Sequence, residues 1–128
     1  MPASPLIFLV EDDDSVREAM TGLLRSTGYQ VLAFGSAEAF LSARGLTQGA
    51  CLVSDIQLPG LSGIDLKRRL DAEGARLPVV LVTARTEPAL HARAHAAGAI
   101  CVLTKPFTAD ALLACVAKGV AGEDSTSD

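Results

Sequence analysis

The sequence predicts an α/β fold: one doubly wound parallel sheet of five strands in the order 2-1-3-4-5, with five helices on its two faces. Three observations lead there. Short apolar runs alternate five times with segments of helical period. The runs are near-continuously apolar, as strands buried on both faces must be. Strands that alternate with helices connect by right-handed crossovers, which makes them parallel. A length of 128 residues suits one domain, burying about two-thirds of its unfolded surface. The folded domain is expected to span residues 1–120, with 121–128 a polar tail or linker stub.

Leu6 to Val10 is the first strand, apolar throughout. In the helix that follows, Ser15 and Glu18 have the spacing of a capping box. Val16, Met20, Leu23 and Leu24 form one apolar stripe, and Gly28 stands where a left-handed residue ends a helix. Gln30 to Phe34 is a shorter, more polar run, expected at a sheet edge, and Ser36 caps a helix reaching about Arg44. Ala50 to Ser54 is the third strand, followed by Asp55, a Pro59-Gly60 turn and a helix from about Ile64 to Glu73. Pro78 introduces the strand Val79–Val82, and Thr86 with Pro88 opens a helix that ends at Gly98. Ile100 to Leu103 is the fifth strand, and Thr108 caps a last helix carrying Leu112, Leu113, Val116 and Val120. From Gly119 onward the chain turns polar and acidic.

Composition narrows the function. A net charge of −4 offers no basic stripe with which this domain could displace counterions from nucleic acid. Cys51, Cys101 and Cys115 are odd in number and lie in apolar stretches, which suits small buried hydrophobes in a reducing compartment. With no signal-peptide pattern and no apolar run of membrane-spanning length, the expected location is the cytoplasm, away from membranes.

The strand ends carry the chemistry. Glu11 and Asp12 follow the first strand, Asp55 the third, Thr83 the fourth and Lys105 the fifth. In the order 2-1-3-4-5 the first and third strands are neighbours, so Glu11, Asp12 and Asp55 meet at one sheet edge. Three carboxylates together repel unless a cation is present. Mg²⁺, which takes oxygen ligands, suits Asp12 and Asp55 directly and the longer Glu11 through a water. Lys105 and the metal would then neutralise a phosphoryl group while Asp55 attacks phosphorus, with Thr83 swinging inward to donate a hydrogen bond. Each residue also has a plainer explanation. Glu11 to Asp14 would complement a helix dipole, Asp55 would open a turn, and Lys105 would be a solvated charge. The joint placement at successive strand ends favours the site; Asp13 and Asp14 remain turn and cap.

Val10-Glu-Asp-Asp13, Asp55-Ile-Gln-Leu-Pro-Gly-Leu-Ser-Gly63, Val82-Thr-Ala84 and Lys105-Pro-Phe107 resemble the receiver domain of bacterial two-component response regulators, a flavodoxin-like fold. The likeness covers about residues 5 to 118, and the stretch from Tyr29 to Leu41 is similar to the FixJ branch. The resemblance implies that Asp55 accepts phosphate from a phosphohistidine on a sensor histidine kinase. It implies Mg²⁺ on Glu11, Asp12, Asp55 and the carbonyl of Gln57. It makes Thr83 the switch hydroxyl, Lys105 the counter-ion of the phosphate, and the Lys105-Pro106 bond cis. Two departures stand out: Glu11 replaces the usual Asp, and Val102 occupies the usual aromatic switch position, leaving the Thr83 loop and the next helix to carry the signal.

That helix, from about Glu87 to Ala97, has Leu90 as its one large apolar anchor and is therefore the element expected to move. His91 and His95 share one face of it and are expected to be solvated rather than a metal pair. The expected function is a phosphorylation-controlled receiver, not an enzyme on external substrates, relaying its state to a downstream protein or output domain. Phosphorylation-dependent homodimerisation through the last two helices is implied by the resemblance, with little support from the Ala-rich surface. Two alternatives stay open. One is a phosphatase with an aspartyl nucleophile, for which Asp12-Asp13-Asp14 fits formally but no cap is inserted. The other is a degenerate receiver that only binds partners, for which one of the five groups should be missing; none is.

Overall fold

The computed structural model describes residues 4–43 and 48–122. Ten elements alternate along it: β1 (Leu6–Val10), α1 (Asp14–Ser26), β2 (Gln30–Phe34), α2 (Ala37–Ala43), β3 (Cys51–Asp55), α3 (Gly63–Ala72), β4 (Val79–Thr83), α4 (Pro88–Ala96), β5 (Cys101–Thr104) and α5 (Ala109–Val120). The strands are parallel and ordered β2-β1-β3-β4-β5, the predicted doubly wound order, with β2 at an edge. In register Val10 pairs with Ser54, Asp55 with Val82, and Thr83 with Thr104, so the carboxyl ends of β1, β3, β4 and β5 share one border.

The strand period of two divides the core between the sheet faces. Phe8, Val10, Leu52 and Leu81 face Phe40 of α2, Leu66 and Leu70 of α3 and Ala94 of α4. Ile7, Leu9, Val53 and Val82 face Met20 and Leu24 of α1 and Leu112 and Val116 of α5. Phe40 sets its ring edge-on to Phe8 at 5.0 Å and Phe34 at 5.8 Å. The predicted stripe of α1 is in place: Met20 and Leu24 are buried, with Val16 and Leu23 packed beside them. Gly28 has φ +100°, so the left-handed end of α1 is where expected.

Several boundaries differ from the sequence expectation, each for a local reason. Asp13, not Ser15, caps α1: its carboxylate accepts from Val16 N at 3.0 Å, which leaves Ser15 inside the helix. Ser62 caps α3 through Asp65 N at 3.1 Å and starts that helix at Gly63. Pro88 opens α4 with Glu87 at the cap and no side-chain capping bond, so Thr86 has no capping part. β5 pairs from Cys101, one residue later than expected. Val120 lies on α5 as expected, and Gly119 belongs to α5 rather than the polar tail, because α5 approaches the sheet closely there. A Cβ on Gly119 would stand 2.8 Å from Cys51 Sγ. Ser36 and Thr108 cap as expected, through Ala39 N at 3.1 Å and Ala111 N at 3.0 Å. Arg44 and residues 123–128 of the tail lie outside the described residues.

Cys51 is buried and its thiol is pushed up to about 12, first by burial and then by the neighbouring Cys101 and Cys115. Among the described residues no helix is long and apolar enough to cross a membrane.

Gly63 ties this scaffold to its border. Gly63 N donates to Ile56 O at 3.0 Å, and a Cβ on Gly63 would stand 2.3 Å from the carbonyl oxygen of Asp55. Since that contact is with backbone, Gly63→Ala is expected to lower the unfolding free energy by about 1–3 kcal/mol, read as a lower urea midpoint. Gly22→Ala, with nothing within 4 Å of its added carbon, should leave the midpoint unchanged or raised.

Candidate phosphoryl-transfer site

The border at the carboxyl ends of the strands gathers the predicted groups. Glu11 leaves β1 pointing into the protein and is only 2% exposed; Asp12 beside it faces solvent. Asp55 ends β3 and is 7% exposed, and Thr83 ends β4 fully buried. Glu11, Asp12 and Asp55 each offer a carboxylate oxygen, and the three oxygens lie within 4.8 Å of one another. Lys105, just past β5, donates from Nζ to Glu11 Oε1 at 2.7 Å and to Asp55 Oδ2 at 3.1 Å. The Lys105-Pro106 peptide is cis, as the resemblance implied.

Burial is the dominant influence on Asp55: it raises the carboxyl to about 6. The Lys105 hydrogen bond opposes that rise and the charge of Glu11 adds to it. Burial of Lys105 would by itself lower its ammonium, but the hydrogen bonds it donates to Glu11 and Asp55, with their charges, outweigh this and raise it. The site therefore holds more negative charge than one lysine balances. An all-oxygen cluster of this span fits a hard divalent cation such as Mg²⁺.

Supporting contacts surround these groups. The Glu11 carboxylate accepts from Asp13 N at 3.1 Å, and Arg17 of α1 donates to the Glu11 carbonyl at 2.9 Å. Thr83 Oγ1 donates to Gln57 Oε1 at 2.7 Å and accepts from Arg85 N at 3.0 Å. Thr83 thus sits at the border with its hydroxyl directed at Gln57. Sequence reasoning missed Glu38 of α2, whose Oε2 accepts from Leu61 N at 2.9 Å and steadies the loop after Asp55. Only the acidic residue in the first turn of α2 hinted at it. His91 is not a plain solvated residue: its Nε2 lies 2.8 Å from Arg85 O, while His95 is exposed.

A cavity of about 400 Å³ opens beside Asp12 and Gln57, walled by Leu58, Pro59, Leu90 and Arg93. A more apolar groove of about 650 Å³ runs from Lys105 and Phe107 along Val16, Met20 and Leu23 of α1.

Fold, border and charge together are those of a receiver, and comparison with known proteins agrees. Residues 7–117 match the response regulator receiver domain, and the chain belongs to that family, a module of two-component signalling. It is 39% identical to the transcriptional regulatory protein FixJ of Azorhizobium caulinodans over 91% of this chain and 55% of that protein. It is 37% identical to the response regulator protein TmoT of Ectopseudomonas mendocina over 87% of this chain and 50% of that one. The chain thus spans about half the length of these curated relatives. Among solved structures, the response regulator StyR superposes with a TM-score of 0.85 at 44% identity, covering 93% of this chain and 60% of that one. The structure of FixJ-N gives a TM-score of 0.86 at 26% identity, covering 94% and 96%. The likeness to the FixJ branch is borne out.

The charge imbalance has a measurable effect. A carboxyl raised in the folded state stabilises the fold fully below its unfolded value and loses that contribution as pH rises through about 6. At pH 7.5 with chelator, ionised Asp55 therefore opposes folding. Asp55→Asn should raise stability by on the order of 1 kcal/mol, after allowance for solvent and Lys105, and Tm by a few degrees. A drop in Tm would mean that the Lys105 bond outweighs burial.

Proposed function

We propose that this domain is a Mg²⁺-dependent phosphoryl receiver in which Asp55 takes the phosphoryl group of a phosphohistidine on a sensor kinase. The observation that carries this is the cluster of Glu11, Asp12 and Asp55 oxygens within 4.8 Å, bridged by Lys105. Glu11, Asp12, Asp55 and the Gln57 carbonyl would hold the metal, which supplies positive charge to the oxygens of the transferring group. Asp55 Oδ attacks phosphorus, forming an O–P bond as the N–P bond to the kinase imidazole breaks, and the histidine leaves with that electron pair. Lys105, already within hydrogen-bond reach of Asp55, neutralises a phosphoryl oxygen. Thr83 turns its hydroxyl from Gln57 to another of those oxygens.

Because Val102 is half-buried on the face of the sheet covered by α2, α3 and α4 and carries no ring, the change at Thr83 passes to α4. Leu90 is the large apolar side chain that α4 lends to the core. FixJ is a transcriptional regulatory protein, and this chain spans about half of it. We infer the same division here: a receiver that works through proteins, either a separate partner or an attached output domain, in the cytoplasm. An acidic domain of net charge −4 leaves DNA contact to that output.

Intact mass after incubation with acetyl phosphate and Mg²⁺ tests the proposal. Wild type should gain one phosphoryl group, and Asp55→Asn or added chelator should abolish the gain. A gain that persists in Asp55→Asn would move the acceptor elsewhere. Steady release of inorganic phosphate from varied phosphate esters would favour a phosphatase.

A further inference from the structure

The geometry points to the Gln57 side chain as a positioning residue that holds the single hydroxyl hydrogen of Thr83 in the resting site and competes for it with an incoming phosphoryl oxygen. This rests on the phosphoryl-transfer reading and adds to it a part for a side chain that so far contributes only its carbonyl.

A threonine hydroxyl has one hydrogen and can donate it to one acceptor at a time. Arg85 N already donates to Thr83 Oγ1 at 3.0 Å, so the oxygen is engaged as acceptor and its hydrogen goes to Gln57 Oε1 at 2.7 Å. Thr83 is fully buried, and a buried hydroxyl without an acceptor is costly, so the resting state needs this partner. Gln57 reaches it from the loop two residues beyond Asp55, across 26 residues of chain. Thr83 is β-branched and stiff at χ1, so its hydroxyl changes partner by a step between rotamers rather than by drift.

The contact also continues outward. Arg85, whose N–H rests on Thr83, accepts at its carbonyl from His91 Nε2 at 2.8 Å in the first turns of α4. Gln57, Thr83, Arg85 and His91 thus form one hydrogen-bonded series from the loop after Asp55 to α4. When Thr83 leaves Gln57, the first link of the series opens, and the Arg85 amide loses a fixed acceptor. Gln57 therefore sets how readily the site takes a phosphoryl oxygen and how firmly α4 is held before it does.

The test uses beryllofluoride with Mg²⁺ as the phosphoryl mimic, its affinity measured by calorimetry. Gln57→Met removes the acceptor while keeping chain length and main-chain carbonyl. It should tighten beryllofluoride binding by roughly threefold to tenfold, the worth of one net hydrogen bond. In a Thr83→Val background the same change should have no effect, a coupling that a merely structural role would not produce. In the free protein, Thr83→Val should shift the Gln57 side-chain amide and Arg85 backbone amide signals in NMR spectra. Equal effects of Gln57→Met in both backgrounds, weaker binding, or an unmoved Gln57 amide would overturn the inference. If wild type does not take beryllofluoride with Mg²⁺ at all, the phosphoryl-transfer reading itself fails and the competition with it.

Discussion

One ammonium between two buried carboxylates is the contact on which the site depends. Lys105 reaches Glu11 from the end of β5 and Asp55 from the same position, joining strands β1, β3 and β5 at their carboxyl ends. Without it, Glu11 would be a nearly unexposed charge beside another carboxylate, which folded proteins rarely tolerate. With it, the border remains short of positive charge, and that shortfall is what a divalent cation can fill. The same parallel register that buries the hydrophobic strands therefore creates the electrostatic deficit.

How much of this was legible beforehand follows from the kind of signal each part leaves. The strands could be read because apolar runs such as Leu6 to Val10 and Val79 to Val82 are continuous, and their order followed from topology rules. Glu11, Asp12, Asp55, Thr83 and Lys105 could be read because strand ends in such a sheet share one border. Caps were less legible. Asp13 and Ser15 both suit an N-cap by type, and only the hydrogen bond to Val16 N decides between them. Glu38 to Leu61, Thr83 to Gln57 and His91 to Arg85 connect different elements or depend on side-chain direction, and no spacing rule announces them.

The contrast between the two layers of helices bears on the signal. α1 and α5 bring Met20, Leu24, Leu112 and Val116 to their face of the sheet, each nearly or fully buried. On the other face α4 brings Ala94 fully buried and Leu90 in part. Deep apolar side chains resist sliding because every shift breaks packing, whereas a helix of small residues gives up little area when it moves. α4 is therefore held as much by polar contacts at its ends as by its packed face.

Those ends are unequal. Lys67 of α3, only 8% exposed and paired at 2.6 Å with both oxygens of Asp71, lies where a Cβ on Gly98 would be 3.1 Å from its Nζ. A cation packed beneath the last turn of α4 complements the negative end of the helix. At the amino end the cap residue Glu87 makes no side-chain capping bond, and the side-chain contacts there are the His91 to Arg85 bond and the exposed Arg85–Glu87 ion pair at 3.2 Å. On the proposed reading, α4 would pivot near Gly98 as a lever does about its fulcrum. Nine residues span about 13 Å, and a tilt of about ten degrees around that fulcrum would carry Pro88 roughly 2 Å, while Ala96 would scarcely travel. On the reading proposed above, mechanical gain would stand in this domain where a bulky moving ring is missing at Val102.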